Sequence, residues 1–309
     1  MNDSLRPGRP GTFALTIAAC LCTSAASAAT FDFSTGGANN LMAMASRPSN
    51  SGVFEIEAAD DFVLTEGTQI TSASFTGLLT GGASTADVSS VTIEIYRVFP
   101  QDSNTAATPK VPTRTNSPSD VAFDSRAQGA GLVYSSALIN PSFTALNSIQ
   151  PGGIHPEPNQ TTGGDGPLTG QEVGFDITLN TPLDLPAGHY FFVPQVAVTG
   201  GDFYWLSASK PITSPGTPFI PDLQTWTRDD NLAPDWLRVG TDMVGGGPAP
   251  TFNAAFTLHG STVPEPGNEA LLLGGLIAVG LAARGRRCRG GVQLPSLARN
   301  SRAISSTPS

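Results

Sequence analysis

Glycine and proline punctuate this chain so densely that no long regular helix fits its middle. The 34 glycines and 26 prolines in 309 residues amount to about one residue in five. Between Thr30 and Pro266 the longest stretch free of both is Ala83–Phe99, 17 residues rich in Ser, Thr, Val and Ile. In a helix interior Gly costs about 1 kcal/mol and Pro about 3 kcal/mol relative to Ala, so a helical bundle or coiled coil is excluded. β-branched residues favour strands instead. An apolar content of 39% argues against wholesale disorder. What remains is a mostly β chain long enough to bury a real core.

Period-2 alternation places the strands. Val173, Phe175, Ile177 and Leu179 fall on one face, with Glu172, Gly174, Asp176 and Thr178 on the other. Phe252, Ala254, Phe256 and Leu258 alternate with Asn253, Ala255, Thr257 and His259, and Val91, Ile93 and Ile95 alternate with Thr92, Glu94 and Tyr96. One apolar and one polar face is the pattern of half-buried antiparallel strands. Tyr190-Phe191-Phe192-Val193 is apolar on both faces and predicts a central strand. Further strands are expected at Phe54–Ile56, Asp61–Leu64, Ile70–Leu79, Leu132–Ser135, Phe203–Leu206 and Trp236–Val239. About ten short strands separated by turn residues predict an all-β fold, a single antiparallel β-sandwich of jelly-roll-like type over residues 30–262. Two long polar connections, at about 100–119 and 140–170, are expected as loops.

Charge is unevenly placed. Half of the 16 Lys and Arg lie near the termini, whereas Thr30–Pro266 holds 8 basic and 23 acidic residues, a balance of −15. Such a body repels nucleic acid and anionic lipid. All three cysteines, Cys20, Cys22 and Cys288, lie outside that body. It therefore contains no disulfide, no thiolate nucleophile and no Cys-ligated metal.

The two ends read as address labels. Arg6 and Arg9, the uncharged apolar run Phe13–Cys22 and the small residues Ser24–Ala29 follow the order of a secretory signal peptide over residues 1–28, with Ala26 and Ala28 framing the cleavage site. Ile17-Ala18-Ala19-Cys20 also has the form of a lipoprotein box, which would put a lipid on Cys20. At the other end Val263-Pro264-Glu265-Pro266 leads through a polar spacer to Ala270–Ala283, 14 apolar residues, and then to a basic cluster over 284–289 that includes Arg284, Arg286 and Arg287. As a helix the apolar run would span about 21 Å at 1.5 Å per residue. That is short of the roughly 20 residues of a comfortable bilayer crossing. Arginines after it are expected to stay on the cytoplasmic side.

This tail, residues 263–287, closely resembles the PEP-CTERM sorting signal. The resemblance implies export through the Sec translocon and a transient transmembrane helix in the inner membrane. It further implies cleavage by an exosortase, then release to the cell surface or an exopolysaccharide-rich biofilm matrix. Residues 288–309 continue as a polar extension, expected to be disordered.

Chemistry is sparse between the labels. His155, His189 and His259 are the three histidines, and neither a Gly-x-Ser-x-Gly elbow, a His-Glu-x-x-His pair nor a phosphate-binding glycine loop accompanies them. The segment Asp202–Asp242 holds Trp205, Trp226 and Trp236 among acidic residues. Flat aromatic faces beside carboxylates are how sugar rings are held. The three tryptophans are therefore candidate glycan-binding residues, with Trp226 expected to be the most exposed and Trp205 and Trp236 also fitting core strands. Asp229, Asp230 and Asp235 are candidate Ca²⁺ ligands, but the EF-hand spacing is absent and a solvated Asx turn is the preferred reading. The expectation is a non-enzymatic exported protein needing no cofactor. A carbohydrate-binding module and a secreted hydrolase are the alternatives.

Overall fold

The computed structural model describes residues 28–49, 53–111, 114–149, 161–209, 224–245 and 251–263. Ala26, the Cys20 box, the sorting tail from Pro264 onward and its apolar run Ala270–Ala283 lie outside them. Among the described residues no helix is long and apolar enough to cross a membrane.

The described chain is mostly strand. In order these are β1 (Thr30–Ser34), β2 (Ala38–Ala45), β3 (Ile56–Leu64), β4 (Thr68–Leu79), β5 (Val88–Arg97), β6 (Asp124–Ala127), β7 (Leu132–Ala145) and β8 (Ser148–Ile149). The remainder are β9 (Leu168–Leu185), β10 (Gly188–Val198), β11 (Phe203–Ala208), β12 (Trp226–Asp229), β13 (Leu237–Arg238), β14 (Asn253–Ala254) and β15 (Phe256–Thr262).

They form two sheets. A nine-stranded sheet is built around β4, which pairs along its length with β9 on one side, with β7 beyond β9. On its other side β4 meets β15 and then β11, which lead outward to β1 and to β2 respectively. β2 pairs with β8 in parallel, whereas every other pairing between these strands is antiparallel. The second sheet has six antiparallel strands in the order β13-β12-β3-β10-β5-β6. The expected central strand at Tyr190–Val193 is indeed internal, as part of β10 between β3 and β5.

Inward residues of both sheets meet in one core. Phe192 of the six-stranded sheet stacks on Phe256 with centroids 5.1 Å apart and meets Trp205 edge-on at 6.0 Å. Phe33 and Phe62 close the same layer at 6.1 Å. At Gly77 a Cβ would fall inside the Phe203 ring, so β4 can pass beneath that ring only as glycine.

The sequence pattern is corrected at two places. The 140–170 connection is not loop throughout: β7 runs on to Ala145, and β8 and the start of β9 also fall within it, while 150–160 lie outside the described residues. Trp236–Val239 is strand only at Leu237–Arg238, after which Val239–Val244 forms a π-helical turn. The described residues of the 100–119 connection form no strand and lie against the six-stranded sheet, with Val111, Ser117 and Ser119 buried.

Because Phe192 touches aromatic rings of the opposite sheet, Phe192→Ala is expected to cost about 3–5 kcal/mol in denaturant unfolding. Exposed Val121→Thr is expected to change stability by less than about 0.5 kcal/mol.

Candidate functional site

The face of the six-stranded sheet turned away from the main core is covered rather than wet. Glu57, Ala59 and Asp61 of β3, Phe191, Val193 and Gln195 of β10, Tyr96 of β5, and Trp226 and Arg228 of β12 are all buried. Alternation on these strands thus produces two buried faces. The polar members of the second face need partners inside the protein.

A lid supplies them. It consists of the loop between β5 and β6 and the turn between β12 and β13. Asp229 Oδ1 accepts the N–H groups of Asn231 and Leu232 at 3.0 and 2.9 Å, which folds the turn as an Asx cap. Lys110 Nζ donates to the carbonyls of Asn231 and Ala233 at 2.7 Å each, tying loop to turn. Asp235 accepts the Lys110 N–H and pairs with Arg114 Nε at 2.9 Å, while Arg114 also pairs with Asp120. Trp236 Nε1 donates to the Ser119 carbonyl at 3.1 Å.

Arg228 is the centre of this layer. Its Nε donates to Glu57, its Nη1 to the carbonyls of Asp120 and Pro234 at 3.0 and 3.2 Å, and its Nη2 to the Tyr96 hydroxyl at 2.8 Å. The guanidinium carbon lies 4.3 Å from the Trp236 ring centroid and 5.2 Å from that of Tyr96. One planar cation therefore joins the sheet, both halves of the lid and two aromatic faces, a role that a lysine's single ammonium could not fill.

Beside it sits a carboxyl cluster. The Tyr96 hydroxyl lies 2.7 Å from Glu57 Oε1 and 2.9 Å from Glu94 Oε2. It accepts from Arg228 and has one proton to give. A second bond to these carboxyls needs a proton on a carboxyl. Burial, followed by the charge of Glu57, pushes Glu94 up to about 7. Burial and Glu57 likewise raise Glu55, which Gln195 Nε2 holds at 2.7 Å. Half-buried Glu94 can thus hold or release a proton near neutral pH. Glu57 has both oxygens engaged, one by Arg228 and one by Tyr96.

The residues singled out in the sequence separate on this background. Trp226 and Trp236 lie in the outer layer and Trp205 in the main core, and their exposures are 2%, 1% and 0%. None offers an open face to a sugar, so the expected exposure of Trp226 is corrected: β12 lies inside the sheet between β3 and β13, with the lid over it. Asp229 and Asp235 are buried and occupied by the turn, Lys110 and Arg114, while Asp230 is exposed. Among the described residues no three His, Cys, Asp or Glu converge as metal ligands. His189 Nε2 lies 2.9 Å from Asp61 and the ring stacks on Phe191. His259 pairs with Asp32 at the surface, and His155 lies outside the described residues.

Sequence reasoning passed over Arg228, Glu57, Tyr96, Glu94 and Glu55. One signal was present: Arg228 is one of only eight basic residues in an acidic body and falls inside the Trp-rich segment. A separate open cleft of about 550 Å³ lies between Arg47, Val53, Thr80 and the Val196–Asp202 segment. Its Arg47 is already held by Asp202 and the Phe54 carbonyl. Comparison with family models, curated proteins and solved structures finds no match for this chain.

Two outcomes are expected from the hub. Arg228→Ala strands Glu57 and should cost about 3–5 kcal/mol, whereas the double change Arg228→Met with Glu57→Leu should recover most of that loss. Both are read from denaturant unfolding. The second concerns pH. Glu94 titrates higher in the fold than its ordinary 4.5, so the folded state binds the extra proton between about 4.5 and about 7. Stability from this group is complete below that window and is lost as pH rises through about 7. In thermal melts Glu94→Gln should match the unmodified chain at pH 5 and exceed it at pH 8. Equal melting temperatures at pH 8 would contradict the assignment.

Proposed function

We propose that this chain is an exported, non-enzymatic surface or matrix protein of the PEP-CTERM kind. Its body would be a single antiparallel β-sandwich of jelly-roll-like type. The leader over 1–28 carries it through the Sec translocon. The apolar run Ala270–Ala283 and the arginines after it hold it briefly in the inner membrane. An exosortase acting at Pro264-Glu265-Pro266 then releases it toward the cell surface, in company with exopolysaccharide.

One observation carries this reading. The strand that follows the expected leader cleavage pairs with the strand that precedes the sorting motif: Thr30 lies opposite Ser261 and Ser34 opposite Thr257. Thr262 N–H donates to the Ala29 carbonyl at 2.8 Å, and Ala29 N–H donates to Thr262 Oγ1 at 3.2 Å. Both labels therefore attach where the fold has already closed, at one corner of one sheet. Removing them takes no residue from β1 or β15. The cysteine-free body also fits an oxidising exterior, since it exposes no thiol to stray disulfide chemistry.

Mass spectrometry of extracellular material tests the proposal. Peptides are expected from Thr30 to about Val263, with none from Ala270 onward. An intact C-terminus recovered outside the cell would overturn it.

A further inference from the structure

Open strand edges invite a second chain, and among the described residues one long edge is left without the usual protections. β1 has five residues and carries Asp32, and β8 and β13 have two residues each. β6 has four residues, with Asp124 and Arg126 paired at 2.7 Å. Short length and charge are the usual protections of an edge.

β7 has neither. It is 14 residues long and pairs with β9 on one side. Among the described residues no strand pairs with its other side, which carries an isolated bridge at Leu132 with Gln128, and β7 also lies close to β2. It carries no Asp, Glu, Lys or Arg, although the body around it is strongly acidic. Val133, Leu138 and Ile139 stand 58%, 51% and 57% exposed along it.

The residues themselves indicate the partner. Val133-Tyr134-Ser135-Ser136-Ala137-Leu138-Ile139 has the same character in either direction: two apolar residues, a small one, a central serine, a small one, two apolar residues. Antiparallel pairing of such a strand with itself sets Val133 opposite Ile139, Tyr134 opposite Leu138 and Ser135 opposite Ala137. A two-fold axis perpendicular to a sheet must place one residue opposite its own copy, so that both chains keep the same face outward. Ser136 meets that requirement. Apolar side chains directly opposed across strands stabilise the pair.

We propose that β7 pairs antiparallel with β7 of a second copy about a two-fold axis at Ser136, joining two nine-stranded sheets into one. Charge favours this edge: two bodies of −15 repel, and an uncharged strand lets them meet with their carboxylates apart. The register against β9 runs unbroken from Leu132 to Leu138 and then slips twice before Phe143, with Pro141 between. The pairing edge therefore ends there. The isologous contact uses the regular part of this edge on both copies, so assembly closes at a dimer rather than growing.

Sedimentation equilibrium of the full chain tests the proposal. The unmodified chain is expected to be a dimer. Val133→Lys with Ile139→Lys puts lysine opposite lysine twice and should give a monomer with unchanged circular dichroism. Val133→Lys with Ile139→Glu puts opposite charges face to face and should restore the dimer. In the unmodified chain, amide exchange over 133–139 should slow as protein concentration rises. This measurement is independent of how the variants fold. A monomeric unmodified chain, a double-lysine variant that stays dimeric, a lysine–glutamate variant that stays monomeric, or concentration-independent exchange would each overturn the proposal.

Discussion

The outer layer of this fold depends on one buried ion pair. Arg228 and Glu57 face each other across adjacent strands, β12 and β3, under the 98–123 loop. Desolvating two charges is costly, and their attraction repays that cost only when the remaining donors and acceptors are also bonded. Here they are: the guanidinium bonds two lid carbonyls and the Tyr96 hydroxyl, and aromatic rings lie against it. The pair therefore gives position more than stability. It requires β12 to lie beside β3 in one register, because the carbonyls of Asp120 and Pro234 can be met by a single guanidinium only from there. A hydrophobic pair of similar volume would fill the space without fixing the lid.

That arrangement explains why the inner fold was legible in the sequence and the outer layer was not. β9, β10 and β15 announce themselves through apolar residues at every second position or at every position, because the main core needs nothing else. Glu57, Arg228 and Gln195 have the residue types of solvated positions. Their burial depends on which distant loop lies over them, and pairwise alternation along one strand contains no such information. β12 reads Trp-Thr-Arg-Asp and passes for a loop, yet every one of its residues is buried. β2 was hidden differently: Ala-Asn-Asn-Leu-Met-Ala-Met-Ala has little β preference, and packing between β11 and β8 makes it a strand.

The candidate site divides along the same line. The sequence grouped Trp205, Trp226 and Trp236 with Asp229, Asp230 and Asp235 between Asp202 and Asp242; the structure keeps Trp226, Trp236, Asp229 and Asp235 in the outer layer, puts Trp205 in the main core and leaves Asp230 exposed. Their role was not legible in the sequence, since a ring that stacks on a sugar and a ring that stacks on a buried guanidinium have the same local sequence. The deciding residue was the arginine among the acids. Glu94 follows from it: with Glu57 committed to Arg228 and Tyr96, a second carboxyl at the same hydroxyl is most stable protonated. A titration near neutrality is thus a by-product of building an ion pair beneath a lid.

The placement of edges and ends shows one further consistency. Reading across the nine-stranded sheet from β7, the order is β9, β4, β15 and β1. The corner where the two labels attach is therefore on the far flank from the uncharged edge. A chain still held by its C-terminal segment would present β7 away from its point of attachment, and two chains joined there would carry their labels at opposite ends of the combined sheet. Short length and charge blunt the β1 flank, where, under the proposed sorting, a neighbouring chain would interfere with processing. The long neutral strand lies where a neighbour would not interfere. On the proposed pairing, negative charge over the rest of the body would limit contact elsewhere and direct association to one strand.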